Sequence, residues 1–283
     1  MRHLVAYFGN EPENLACALF SARGALYARS ATGTSATPEG FGLGFVQGGD
    51  VLLQKRPRAE TVEVDLYNLV KDTRAEALVG RVGFKHDGST LAEDTDPFRF
   101  RSWLFGSVGD LGDVPFEELR ERMLESTPSF LRRNIRGLSP SEHVFHLFLA
   151  FLHDAGILDQ PSPAPAAVHA ALRNSVQLID ELLAPTGKGP LQIALCATNG
   201  RCFAATGINF PIRYLAVEGI SDCPVCHARN DAGRNGRRIP HESLRALVIE
   251  ADRDVVSRPG WRDVEDRTAL IAGPDVAPTL LPL

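Results

Sequence analysis

Cys223-Pro224-Val225-Cys226-His227 is the densest run of metal- and redox-competent side chains in the sequence. A Cys-x-x-Cys pair can supply two thiolates to zinc, but a closed zinc site needs four ligands. His227 and His241 are the nearest further donors, with an Arg- and Gly-rich stretch between them. Half a ligand set favours a reduced surface loop, so no cofactor is expected, and Cys223, Cys226, His227 and His241 stand as the zinc candidates. Cys-x-x-Cys-His is also the c-type haem attachment pattern, which requires export, and the first residues lack the charged-then-apolar layout of a secretory signal. No thioredoxin-like strand–helix context surrounds the pair, which argues against a redox dithiol.

The other chemically competent residues have plainer readings. His143, His146 and His153 fall on one face of a predicted helix. His146 and His153 would lie about 10.5 Å apart along its axis, too far for one metal ion, so they read as polar-face histidines. Gly40-x-Gly42-x-Gly44 lacks the lysine and the following helix of a phosphate loop. Cys17, Cys196 and Cys202 sit in stretches that read as helix or strand interior, where inert packing is the usual role. Cys196 and Cys202 flank the Asn199-Gly200 corner and are expected to face each other as packed thiols rather than as a disulfide. Arg132-Arg133 and the run Arg234, Arg237, Arg238 read as solvated loop.

Composition narrows the classes further. The chain has 283 residues, 44% hydrophobic and 23% charged, with 30 basic and 35 acidic side chains and a net charge of −5. That is ordinary for a soluble globular protein able to bury a sizeable core. No basic stripe announces a nucleic-acid partner, and no apolar run approaches the ~20 residues needed to span a bilayer. Five irregularly spaced cysteines do not make a disulfide framework. A reduced, cytoplasmic protein without nucleic-acid or membrane partners is the expectation.

The elements that must position these residues begin at the start of the chain. Leu4, Val5, Tyr7 and Phe8 have the β-branched and aromatic bias of a strand, stopped by Gly9 and Asn10. A strand there implies that the N-terminus is fixed inside the fold, since ends otherwise fray. A short helix is expected over 14–26, then two strands joined at Gly48-Gly49, a helix over 60–75 and a strand over 77–84. Lys85-His86-Asp87-Gly88-Ser89 reads as a loop, and a strand is expected over 98–105. Helices follow over 116–124, from Ser139, and over 166–183. Serine, proline and Glu142 at 139–142 predict a capping box. The last hundred residues return to strands: a hairpin turning at Asn199-Gly200, then 210–217, 244–251 and 269–272, interrupted by a polar insert over 218–242. Strands, a block of helices, then strands again predict an α+β fold, an αββα sandwich, in a single domain over 1–283.

In this order the segments resemble a known family, the class II glutamine amidotransferases of N-terminal-nucleophile type, in particular the stand-alone kind of ergothioneine and glutathione metabolism. Those begin Met-Cys-Arg-Leu-Leu-Ala-Tyr-Leu-Gly, and this chain begins Met1-Arg2-His3-Leu4-Val5-Ala6-Tyr7-Phe8-Gly9. Gly40-Phe41-Gly42-Leu43-Gly44-Phe45 is similar to the family's Gly-Trp-Gly-x-Gly-Trp. Asp94-Thr95-Asp96-Pro97-Phe98 resembles its Asn-x-x-Pro-Phe, and Phe105-Gly106-Ser107-Val108-Gly109 its Phe-x-His-Asn-Gly. Ser139-Pro140-Ser141-Glu142 matches its Thr-Asp-Ser-Glu helix start. Val248-Ile249-Glu250-Ala251-Asp252 and Pro259-Gly260-Trp261-Arg262-Asp263-Val264 are similar to its closing segments.

The resemblance implies a glutaminase site whose parts are replaced here. In the family, removal of methionine exposes a cysteine whose thiolate attacks the glutamine amide, with its own α-amino group as base. Arg2 offers no nucleophile, and its bulk disfavours removal of Met1. The arginine that holds the substrate carboxylate in the family's Gly-His-Val-Arg strand corresponds to Gly83. The oxyanion-hole asparagine corresponds to Val108, and losing one such donor costs ~10²–10³ in rate. The aspartate for the substrate's amino group corresponds to Pro140, and Gly109 alone keeps its family identity. The implied cleft is therefore degenerate: Arg2, His3, Gly83, Asp94, Ser107, Val108, Gly109 and Pro140, with no catalytic residue. Its expected role is to bind a small molecule or a partner protein, with the 218–242 insert as the partner surface. The rivals are an enzyme of other chemistry using Asp94, Asp96, His86 or the Cys223/Cys226 pair, and an accessory subunit of an amidotransferase complex.

Overall fold

The computed structural model describes residues 2–29, 37–56, 63–85, 92–112, 114–187, 189–231, 241–254 and 258–283. The strands in chain order are β1 (Arg2–Gly9), β2 (Tyr27–Arg29), β3 (Thr37–Gln47), β4 (Asp50–Arg56), β5 (Glu63–Asp65), β6 (Ala77–Lys85), β7 (Phe98–Phe100) and β8 (Trp103–Asp110). After the helical block come β9 (Gln192–Thr198), β10 (Phe203–Ile208), β11 (Ile212–Ile220), β12 (His241–Ala251), β13 (Trp261–Val264), β14 (Thr268–Ala272) and β15 (Thr279–Pro282). The helices are α1 (Leu15–Phe20), α2 (Leu66–Val70), α3 (Phe116–Glu125), α4 (Ser129–Arg132), α5 (Pro140–Asp154), α6 (Pro165–Leu183) and α7 (Pro224–Asp231).

Two antiparallel sheets carry the fold. One runs β13-β11-β12-β1-β6-β3-β4 and the other β15-β14-β10-β9-β8-β7, with β2 and β5 paired apart from both. Three apolar layers explain the arrangement. Leu4, Ala6, Phe8, Val79, Leu104, Cys196 and Leu247 meet between the sheets. Val5, Tyr7, Leu78 and Val248 pack outward beneath Leu15 and Leu19 of α1 and Leu66 of α2. Phe105, Leu195 and Ala204 pack outward from the second sheet beneath Phe145, Phe148, Leu172 and Ile179. The αββα sandwich is thus a consequence of two sheets that are each apolar on both faces. It also explains why β1 and β9 read as continuous rather than alternating apolar runs. β1 occupies the middle of its sheet, paired to β12 on one side and β6 on the other, so the first strand is tied down as expected.

Glycines allow a close approach between the layers. A Cβ on Gly42 would come within 1.9 Å of the Asp96 carbonyl oxygen, and one on Gly44 within 2.3 Å of Leu104 Cδ1. The Gly40-x-Gly42-x-Gly44 run is therefore a packing seam beneath the 94–97 segment and not a phosphate cradle. Gly42→Ala is expected to destabilise the fold by about 2–3 kcal/mol, read from a denaturant titration, because the clashing atom is backbone and cannot rotate away.

Several sequence expectations change. The helix expected over 60–75 is the short strand β5 followed by the one-and-a-half turns of α2, with 57–62 outside the described residues. The strand expected over 98–105 divides at Arg101, which has φ 52°. Ser139 makes no side-chain cap to α5, and the capping box does not form. Instead Glu142 reaches back to accept hydrogen bonds from Arg136 N (3.1 Å) and Gly137 N (2.8 Å), serving the preceding loop. Cys196 pairs in register with Ala205, and it packs between the sheets while Cys202 packs under the helices, so these thiols do not face each other. Burial pushes the Cys202 thiol up to about 12 and the Cys196 thiol higher still, which keeps both as inert packing groups. His86, Asp87, Arg234, Arg237 and Arg238 lie outside the described residues.

Candidate functional site

A cleft of about 400 Å³ opens where the 94–96 segment, the end of β8 and the start of α5 converge on β6. Asp94, Ser107, Val108, Gly109 and Pro140 all line it, together with Arg81, Asp96, Asp110, Phe116 and Ser141. Residues from four separate stretches of sequence are thereby brought together.

The floor is a hydrogen-bonded relay centred on Asp96, which is 3% exposed. Its Oδ1 accepts from the backbone N–H of Ser107 (2.8 Å) and from the hydroxyl of Ser141 (2.6 Å). Ser107 Oγ in turn donates to Ser141 Oγ (2.7 Å). Burial raises the Asp96 pKa, opposed by the Arg81 guanidinium, the two serine hydrogen bonds and the more distant Lys55 ammonium. Lys55 sits with its ammonium 4.6 Å from the centre of the Phe98 ring, and burial lowers its pKa. Nearby, Asp94 Oδ1 accepts from Leu138 N (2.6 Å), which fastens the loop before α5 to the cleft rim.

Gly109 is required by its backbone. Its φ is +123°, and a Cβ there would stand 2.1 Å from the Gln192 carbonyl oxygen of β9. Val108, in contrast, is 2% exposed and belongs to the apolar layer between the sheets. An amide could not be served there without a polar partner.

Three expected cleft positions stand elsewhere or differ. His3 is not in the cleft: its ring lies on the outer, helix-covered side, with Nε2 2.6 Å from the Ala25 carbonyl oxygen and Nδ1 3.1 Å from Asp252 Oδ2. Strand alternation is the reason, since His3 shares its parity with Val5 and Tyr7. Arg2 pairs through its backbone with Gly83, and Gly83 does not line the cleft. Arg81, two residues before Gly83 on the same face of β6 and about 6.6 Å along the strand, does line the cleft. Sequence reasoning missed Arg81 by comparing position with position; its period-two relation to Gly83 was the available signal.

The histidines of α5 are not on a polar face. His143 and His146 are each 2% exposed, His143 edge-on to Phe116 and His146 edge-on to Phe100 and Phe145, and only His153 is exposed.

A second cluster lies on the far side of the seven-stranded sheet. Cys17, Cys223, Cys226 and His241 place one donor atom each within 4.8 Å of one another. Of the zinc candidates, His227 does not belong to the cluster: its Nε2 is 2.6 Å from Asp222 Oδ1. Cys17 takes the fourth place, which no local spacing could reveal, since it is 209 residues from Cys226.

Comparison with known proteins bears on the fold alone. No family model matches this chain, and no curated protein matches it by sequence. Among solved structures, a glutamine aminotransferase class-II domain protein from Silicibacter pomeroyi superposes with a TM-score of 0.59 at 14% identity, covering 99% of this chain and 98% of that one. A predicted glutamine amidotransferase from Pseudomonas aeruginosa PA01 gives 0.56 at 13% identity, with 98% of each chain covered. The glutamine phosphoribosylpyrophosphate amidotransferase from B. subtilis gives 0.53 at 12% identity, covering 99% of this chain and 49% of that one. The chain has the class II glutamine amidotransferase fold over nearly its whole length, as its α+β sandwich and strand order require. No helix among the described residues is long and apolar enough to cross a membrane.

Proposed function

We propose that this protein is a catalytically inactive class II glutamine amidotransferase-like protein whose cleft binds a small zwitterion of amino-acid type without hydrolysing it. One observation carries the reading. The cleft is lined by a guanidinium, Arg81, and by the carboxylates of Asp94, Asp96 and Asp110, while β1 contains no cysteine, serine or threonine to attack a bound amide. Arg81 and the positive end of α5 suit a ligand carboxylate. Asp94 and Asp110 suit an ammonium group. The position of the family's oxyanion donor is apolar at Val108, so the ligand would be held without stabilisation of a tetrahedral intermediate.

The protein is expected to release no ammonia from glutamine and to take no label from a glutamine-analogue electrophile. Titration calorimetry with glutamine, glutamate and related amino acids should detect binding that Arg81→Ala weakens by about 10–100-fold, the usual loss for a charge-assisted hydrogen-bonding partner. Rapid covalent labelling, or ammonia release, ends the proposal.

A second reading has one observation in its favour. The Ser141 hydroxyl donates to a buried carboxylate with a raised pKa, at the floor of an open cleft. That would make the protein a hydrolase of different chemistry on the same scaffold, with Ser141 as the attacking group. Ester or amide turnover abolished by Ser141→Ala selects this reading over the first.

A further inference from the structure

We propose that Cys17, Cys223, Cys226 and His241 bind one zinc ion in a closed Cys₃His site that ties the insert between β11 and β12 to helix α1. The donors come from three separate segments: Cys17 from α1, Cys223 from the residue before α7 with Cys226 in the first turn of that helix, and His241 from the first residue of β12. Cys17, Cys223 and His241 are buried and Cys226 is half-buried. Among the described residues no other group of three or more such side chains gathers its donor atoms this closely.

The spacing fits the ion. Cys17 Sγ lies 3.6 Å from Cys226 Sγ, and Cys226 Sγ lies 3.3 Å from His241 Nε2. A tetrahedron built on Zn–S bonds of about 2.3 Å and a Zn–N bond of about 2.0 Å has S···S edges of about 3.8 Å and S···N edges of about 3.5 Å. Two of the six edges are thus within about 0.2 Å of those that a tetrahedral ion would set, and no two donor atoms are more than 4.8 Å apart. The turn that presents the pair is fixed by its own backbone, His227 N donating to the Cys223 carbonyl at 3.0 Å. Three soft thiolates and one imidazole select zinc over magnesium, calcium or manganese. On binding, the three thiols release their protons to solvent and the metal takes four protein ligands.

Four protein ligands leave no open position, so the ion is structural and does not activate water. Its location agrees. α1 covers the face of the seven-stranded sheet opposite the cleft, where Leu15 and Leu19 pack on Val5, Tyr7 and Val248. The proposal is accordingly independent of what the cleft binds. Its physical role is to fasten a polar excursion, which has little apolar surface of its own, onto the layered core.

The decisive experiment is metal analysis of the full chain, purified under reductant without added metal, beside Cys17→Ser and His227→Ala. The full chain is expected to carry about one zinc per chain, Cys17→Ser at least about fivefold less, and His227→Ala the full complement. Cobalt(II) added to the metal-stripped, reduced full chain should give the visible bands of a tetrahedral ion and a thiolate charge-transfer band, which settles the matter if Cys17→Ser fails to fold. Three results overturn the proposal: no zinc and no cobalt bands in the reduced full chain, undiminished zinc in folded Cys17→Ser, or a Cys17–Cys226 disulfide in the protein purified without oxidant.

Discussion

Replacing Asp96 with alanine is expected to lower the unfolding free energy by about 3–5 kcal/mol. The carboxylate oxygen is the acceptor for both Ser107 N–H and Ser141 O–H, and all three groups are buried. Alanine leaves both donors without it, at about 1–3 kcal/mol each. It also removes the negative partner facing the Arg81 guanidinium. Asp96→Asn keeps an oxygen at the same place and should lose well under half as much. The two variants also separate charge from hydrogen bonding through pH. Because burial raises the Asp96 pKa, the folded protein holds that proton more tightly than the unfolded chain. The contribution is fully present below the unfolded pKa and is lost as pH rises through the folded value. Wild-type stability relative to Asp96→Asn should therefore decline across the acidic range as pH increases. Urea titrations at several pH values measure both effects. An alanine variant within about 1 kcal/mol of wild type would mean that the relay at the cleft floor contributes little.

The buried histidines of α5 have the opposite pH sign. His143 Nδ1 lies 2.9 Å from the Ser139 carbonyl and His146 Nδ1 lies 2.8 Å from the Glu142 carbonyl, so each ring donates through Nδ1. Each Nε2 is then a buried lone pair with no hydrogen-bond partner. Protonation would place a charge there without compensation, and burial accordingly lowers both pKa values. For His143 the Ser139 carbonyl and Glu142 oppose the shift, while Arg120 and His146 add to it. The unfolded chain takes up these protons first, so the stability is whole above the ordinary histidine pKa and is lost as pH falls below it. The limiting slope is about 1.4 kcal/mol per pH unit for each ring, about 2.7 for both, over the window between the ordinary histidine pKa and the lowered one. His143→Gln together with His146→Gln should flatten that slope between about pH 6.5 and the acidic limb, even if the double variant is less stable at neutral pH. Parallel pH profiles for the two proteins would mean that these rings take up protons equally in the folded and unfolded states.

The contrast between Asp96 and the α5 histidines shows what local sequence can carry. Both were visible as ionisable residues, but their environments were not. The histidines read as one polar face because a helix written in a line shows spacing, whereas burial depends on what packs against it. Here Phe116, Phe100 and the second sheet cover that face. Glu142 likewise has the spacing of a capping box, but a loop donor six residues back competes successfully for its carboxylate. His3 is expected in the cleft with Arg2, and period-two alternation sends it to the other face of the sheet.

The sequence by itself determined the strand at the start of the chain, the hairpin corners, the α5 and α6 helices and the αββα order, because apolar periodicity and turn residues act over a few neighbouring positions. It also determined that residue 2 is an arginine and residue 108 a valine, where the family that the sequence resembles carries cysteine and asparagine. Only the tertiary structure decided that Arg81 supplies the cleft with a cation, that Ser107, Ser141 and Asp96 form one relay, and that Cys17 meets Cys223, Cys226 and His241. Each of these depends on residues brought together across tens to hundreds of positions by sheet register and layer packing. No short-range pattern encodes such a distance, since it is fixed by how two-sided apolar sheets must stack to hide both their faces.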